Sequence, residues 1–222
     1  MNDAVDLGAV KRGFEQPALD AQRLYRRLLD AMAWPGRQQD LSEAPEPPVG
    51  LHRSTAGIAL TLLDFETPLW LDPALRGSDL KAWLRFHCGC PLSNDPRTAA
   101  FAFVADAQQM PHLDDFAVGD ARYPDRSTTL IVQLPSLSGG AAVRLTGPGI
   151  DDHIVVAPTG LPDDFWAQLA ENRAEFQLGV DLLLVDEQKV LGLPRSTRWS
   201  GVDAAAPAGK TVDPAGNNPC CN

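Results

Sequence analysis

Lysine is scarce in this 222-residue chain. Lys11, Lys81, Lys189 and Lys210 are the whole set, and 19 basic residues stand against 29 acidic ones for a formal net charge of −10. A surface of that sign gains nothing from the counterion release that drives nucleic-acid binding, and anionic membranes are disfavoured for the same reason. Long apolar runs are also missing. The most apolar stretch, residues 58–63, is far shorter than a membrane span. Residues 1–16 lack the apolar core of a secretory signal, so the chain reads as cytoplasmic. Cysteine is confined to Cys88, Cys90, Cys220 and Cys221, which make no disulfide framework in that compartment. Walker and dinucleotide loops, nucleophile elbows, kinase signatures and zinc-protease helices are all absent.

What is present is an ordinary globular composition, 44% hydrophobic and 22% charged. Such a length buries roughly 70% of the unfolded surface, so neither a metal nor a disulfide is needed to hold the fold. Helical spacing of Leu24, Tyr25, Leu28, Leu29, Ala31 and Met32 predicts a helix over 17–34, with Arg23, Arg26 and Arg27 mainly off that stripe and Trp34-Pro35-Gly36 ending it. Residues 42–50 read as a surface loop, and the apolar run 55–63 fits either a helix or a buried strand. Ser78 is a candidate cap for a helix over 79–87. A later helix is expected over 162–176, with Phe165, Trp166, Leu169 and Phe176 on one face. Strands are expected at 69–71, 99–104, 128–134, 142–146 and 154–156, followed by a hairpin of 180–185 with 189–193. The fold class is α/β, a mixed sheet flanked by helices. A flexible leader (1–16), one domain (17–198) and a disordered Ala/Gly/Pro-rich tail (199–222) complete the organisation.

Three places carry possible chemistry. In the first, Ser138, Gly139 and Gly140 lie between two strands, where glycines let amides converge on a phosphate and Arg144 adds charge. A plain β-connection with glycines at positive φ explains the same residues. In the second, Arg85 and His87 end a helix, and Arg195 with Thr197 follows a strand. Both arginines suit an anion or a partner carboxylate, and solvated element ends are the alternative. In the third, His87, Cys88 and Cys90 offer metal-ligand types without the distant second pair that zinc sites use, so no metal is expected and the thiols read as small buried groups. Asp181 opens an apolar strand and is expected to accept backbone or arginine hydrogen bonds.

An ordered series of segments resembles the PhnH family. It runs through Asp20-Ala21-Gln22 with Arg26, Leu28-Leu29, Ala31-Met32 and Pro35-Gly36, then Leu60-Thr61-Leu62-Leu63-Asp64 and Thr67-Pro68-Leu69-Trp70-Leu71. It continues in Leu84-Arg85-Phe86-His87, Ser136-Leu137-Ser138-Gly139-Gly140, Arg144-Leu145-Thr146-Gly147-Pro148-Gly149-Ile150, Leu178-Gly179-Val180-Asp181 and Leu193-Pro194-Arg195-Ser196-Thr197. The resemblance implies a fold similar to the large domain of pyridoxal-phosphate-dependent transferases, without that cofactor. It also implies a homodimer that joins PhnG, PhnI and PhnJ-type subunits in a carbon–phosphorus lyase core complex. There the ribose triphosphate of ATP passes to an alkylphosphonate and adenine is released. The implied role is auxiliary, with no catalytic residue assigned. A stand-alone phosphate-ligand-binding protein or enzyme using Ser138, Gly139, Gly140 and Arg144 is the rival, and a true pyridoxal-phosphate enzyme using Lys189 is the third reading.

Overall fold

The computed structural model describes residues 10–202. Among them are the helices α1 (Pro17–Ala33), α2 (Arg53–Leu62), α3 (Ser78–His87) and α4 (Phe165–Ala174). The strands are β1 (Gln38–Asp40), β2 (Leu69–Leu71), β3 (Leu92–Ser93), β4 (Phe101–Val104), β5 (Thr129–Gln133), β6 (Val143–Thr146), β7 (Ile154–Val156), β8 (Asp181–Val185), β9 (Lys189–Leu193) and β10 (Arg198–Gly201). Seven strands form one sheet in the order β1-β9-β8-β5-β4-β2-β3, and β10-β6-β7 form a second. The centre of the large sheet is parallel from β2 through β4 and β5 to β8, while β9 and β1 run antiparallel at one side.

Burial on both faces explains why β4, β5 and β8 read as unbroken apolar runs in the sequence. Alternate side chains sort to opposite faces. Leu69, Leu71, Phe103, Ile131, Leu183 and Val185 pack with Leu24 and Leu28 of α1, Ile58 of α2 and Trp83 of α3. Trp70, Ala102, Val104, Leu130, Val132, Leu182 and Leu184 pack with Phe165 and Leu169 of α4 and with Val143 and Leu145 of the small sheet. The result is three layers, with helices on one face and the α4–small-sheet unit on the other.

Glycines set how close the layers come. At Gly192 of β9 an added Cβ would collide with the Ala31 carbonyl of α1, so this position brings the helix onto the strand. Gly57 of α2 touches Leu24 and Ala44 in the same way. After Ala33 the chain turns at Trp34-Pro35-Gly36, where Gly36 adopts φ 81° and its N–H donates to the Gly192 carbonyl at 3.2 Å.

Several sequence expectations shift. The ambiguous run at 55–63 is helix α2, buried through Ser54, Thr55, Ala56, Gly57, Ile58 and Ala59. A helix buried on this scale has no polar face, so its period could not show. Ser78 does not cap α3. Gly77 holds the cap position without a side-chain bond, and the Ser78 hydroxyl donates to Asp79. Helix α4 starts at Phe165, after a turn closed by the Phe165 N–H on the Pro162 carbonyl, and it ends at Ala174. Phe176 therefore lies outside the helix and is half exposed. Strands β1, β3 and β10 had no counterpart in the sequence reading. Each has only two to four residues at a sheet margin, too short to display alternation.

Order reaches past the expected domain boundary, because β10 pairs with β6 and Trp199 rests on Trp166 with ring centroids 5.8 Å apart. Val10 and Phe14, placed with the leader, pack against the core. The remainder of the expected tail, with Lys210, Cys220 and Cys221, lies outside the described residues.

Candidate functional site

The segment with Ser138, Gly139 and Gly140 connects β5 to the small sheet. The Ser138 N–H donates to the Ser136 hydroxyl at 3.1 Å, and the Gly140 N–H donates to the Ala157 carbonyl at 2.8 Å. A Cβ at Gly140 would run into the Pro158 carbonyl, whereas Gly139, at φ 91°, faces open space. Two of the three amides are thus committed within the chain, and close approach to residues 157–158 accounts for the second glycine.

Arg144 follows in β6, opposite Ser200 of β10 and Val155 of β7. Its neighbours Val143 and Leu145 point into the core, which turns Arg144 and Thr146 to the outer face. There Arg198 stands opposite Thr146, diagonal to Arg144. The Arg144 Nε is buried without a hydrogen-bond partner among the described residues. Sequence reasoning missed Arg198 because it fell at the edge of the expected domain. Its alternation with Trp199 was the available signal.

Arg195 sits elsewhere, and its guanidinium is fully engaged. Nη2 reaches Asp181 Oδ2 at 2.6 Å, and Nε lies 3.2 Å from both Asp181 oxygens. Nη1 donates to the Pro124 and Gln177 carbonyls, and Nη2 also meets the Ser127 hydroxyl. The Arg195 backbone N–H adds a 2.7 Å bond to Asp181 Oδ1. With its donors spent on three chain segments, Arg195 is a clip and has nothing left for an external anion. Asp181 is the acceptor that its place in an apolar strand called for.

His87 and Arg85 do not converge, since residues two apart on a helix point away from each other. His87 lies against the Trp83 and Phe86 rings, and its Nε2 is 2.9 Å from the Lys11 carbonyl. The Trp83 Nε1 donates to that same carbonyl at 3.1 Å. The pair pins residues 10–14 to α3, while Arg85 remains exposed.

Behind His87, burial pushes the Cys88 thiol up to about 12 and that of Cys90 upward as well. Protonated thiols are poor ligands and poor nucleophiles. No group of three metal-ligating side chains occurs among the described residues. His112 and His153 are engaged by neighbouring Asp114 and Asp152, each at 2.7 Å.

A groove of about 470 Å³ runs between α1 and the β1 region. Arg23, Arg26, Arg27 and Asp30 line one side, with Asp40, Ser42 and Glu43 on the other. Arg23 is held by Asp20 at 2.6 Å, with Glu43 at 3.7 Å. Hydrogen bonds from Ser42 hold the Asp40 carboxyl below the usual carboxylate range, with Lys189 and Arg27 adding to the effect. The sequence-named positions therefore occupy separate environments. Ser138, Gly139 and Gly140 lie in the connection that leads into β6, which carries Arg144, whereas His87 and Arg195 serve as ties at other places.

A family described as bacterial phosphonate metabolism protein (PhnH) matches residues 12–200. One relative, from Rhizobium meliloti (strain 1021), is called alpha-D-ribose 1-methylphosphonate 5-triphosphate synthase subunit PhnH. It is 44% identical over 185 residues, covering 83% of this chain and 92% of the relative. Another, from Stutzerimonas stutzeri, is called putative C-P lyase subunit protein HtxG and is 30% identical over 178 residues, covering 79% and 84%.

Proposed function

Because this chain belongs to the PhnH family of bacterial phosphonate metabolism proteins, we propose that it is an auxiliary subunit of the synthase that makes ribose 1-alkylphosphonate 5-triphosphate. The carrying observation is a family match along nearly the whole described chain, together with a relative at 44% identity called a subunit of that synthase. In the reaction an alkylphosphonate oxygen bonds to the ribose carbon of ATP, and the bond from that carbon to adenine breaks. The geometry supports an auxiliary place in this chemistry. Arg195 spends its donors inside the chain, His87 and the Ser138 and Gly140 amides each have a partner there, and no nucleophile is paired with a base among the described residues. The reading includes PhnG, PhnI and PhnJ-type partners, a homodimer of the isolated chain and a cytoplasmic site of action.

Co-expression tests it directly. The chain should co-elute with PhnG, PhnI and PhnJ-type subunits, and adenine release from ATP and methylphosphonate should need the mixture. Adenine release by the isolated chain, or its elution only by itself, would sink the proposal.

A stand-alone anion-binding role keeps one observation in its favour, the unpartnered Arg144 Nε. Calorimetry of the isolated chain with ATP and methylphosphonate decides between the two. Binding that disappears in Arg144→Ala supports the rival reading, and an absence of heat supports the subunit reading.

The finer fold expectation, a likeness to the large domain of pyridoxal-phosphate transferases, is supported by the seven-stranded mixed sheet between helices. The cofactor itself does not fit the lysines among the described residues. Lys11 is ion-paired to Glu46, and Lys81 and Lys189 are exposed, whereas a Schiff base needs a desolvated amine.

A further inference from the structure

Helix α1 buries Leu24, Leu28 and Ala31 against β9 and α2, yet it carries a second, largely apolar stripe that no described residue covers. Ala18, Tyr25, Leu29 and Ala33 recur at helical spacing with the polar Gln22 among them, and all are exposed, Tyr25 at 47% and Leu29 at 50%. Just past the helix end Trp34 is 45% exposed, and the Arg37 guanidinium stacks on its ring at 5.1 Å. Arg26 borders the stripe on the groove side. No carboxylate lies within ion-pair distance of it among the described residues. Tyrosine, tryptophan and arginine are the side chains that dominate binding energy at protein interfaces, and here they occur on α1 and the turn that follows it.

We propose that this face of α1 docks a different subunit of the synthase through an apolar helix or ridge flanked by carboxylates. The proposal rests on the subunit reading above and adds the surface and the chemistry of its partner. Charge selects the occupant. The chain as a whole is strongly acidic, but Arg26 and Arg37 beside this stripe are cationic and lack carboxylate partners among the described residues. A carboxylate-flanked ridge would pair with both. A second copy fits less well. Two α1 helices packed antiparallel about the middle of the stripe, between Ala18 and Ala33, would bring Arg26 beside its own counterpart.

The experiment uses the full chain co-expressed with the PhnG, PhnI and PhnJ-type subunits, read by size exclusion with light scattering. Tyr25→Glu combined with Leu29→Glu should abolish co-elution, because Tyr25 is of the hot-spot type whose loss raises Kd by roughly thirtyfold or more and both changes place an unpaired carboxylate in an apolar contact. Arg26→Glu, a change at an exposed and unpaired position, should weaken association while leaving the melting temperature unchanged. It keeps the test intact if the double variant misfolds. Phe65→Glu, at a 75% exposed position in the α2–β2 turn, should co-elute as the parent does.

Co-elution of the folded double variant at the parental level, or of Arg26→Glu at parental affinity, overturns the proposal. Conversion of an isolated dimer to monomer by these substitutions, with heteromeric assembly intact, assigns the face to a second copy and overturns it too. Failure of the parent chain to associate with any subunit strikes the subunit reading itself, and is thereby told apart from failure of the surface.

Discussion

At the scale of single residues, Arg195 shows how a functional-looking side chain can be structural. Its position after a strand in Leu193-Pro194-Arg195 reads equally well as an anion site or a solvated end, and it is neither. Five donors converge on Asp181, Ser127 and the carbonyls of Pro124 and Gln177, so one side chain joins β8 to two irregular segments. Arg195→Ala leaves Asp181, whose side chain is only 20% exposed, without its cation, and two carbonyls without donors. A loss of about 3 kcal/mol is expected, read as a lower urea midpoint. Binding to partner subunits should persist once the variant is folded. A variant as stable as the parent would mean that solvent replaces these bonds. The Asp181 half of this clip was legible in the sequence, because a carboxylate opening an apolar strand must find donors. The Arg195 half was not, since its donors are filled by Pro124, Ser127 and Gln177, which are remote in sequence and unremarkable in type.

At the scale of elements, the family-like segments turn out to mark close approaches between layers. Gly149 admits the Ala33 carbonyl and Gly147 lies against the Ser196 carbonyl, while Gly192, just outside the series, admits the carbonyl of Ala31 within it. The motif around Gly147, Pro148 and Gly149 thereby seats the small sheet on the turn that ends α1. Gly192→Ala should push α1 off β9 and cost about 2 kcal/mol by overpacking, seen as a fall in melting temperature. Unchanged stability would show that α1 has room to shift. Strands buried on both faces were readable as apolar runs, and helices α1 and α3 as stripes. Strands β1, β3 and β10 were not, because short marginal strands such as Gln38–Asp40 and Arg198–Gly201 take their shape from the ladder partner and not from their own sequence.

At the scale of the whole molecule, function was legible only through the ordered series of segments, since the sequence holds no catalytic motif that names a reaction. Residues of that series hold a three-layer body together, with Gly147 and Gly149 at close approaches and the Asp181–Arg195 pair as a tie. What lies beyond that body should then be dispensable. Both the last strand, β10, and the family match end close to residue 200, while residues 203–222 are dominated by alanine, glycine and proline, a composition that offers little to bury. Ending the chain after Val202 keeps β10 on β6 and Trp199 on Trp166, so the truncated protein should melt with the full chain and enter the complex equally well. Ending it after Pro194 instead removes Arg195, Trp199 and β10 together and uncovers β6. That chain should lose several kcal/mol, since it gives up an aromatic contact, a strand ladder and the Asp181 clip at once. A full-length chain markedly more stable or more readily assembled than the one ending at Val202 would show that the last twenty residues act on the folded body after all.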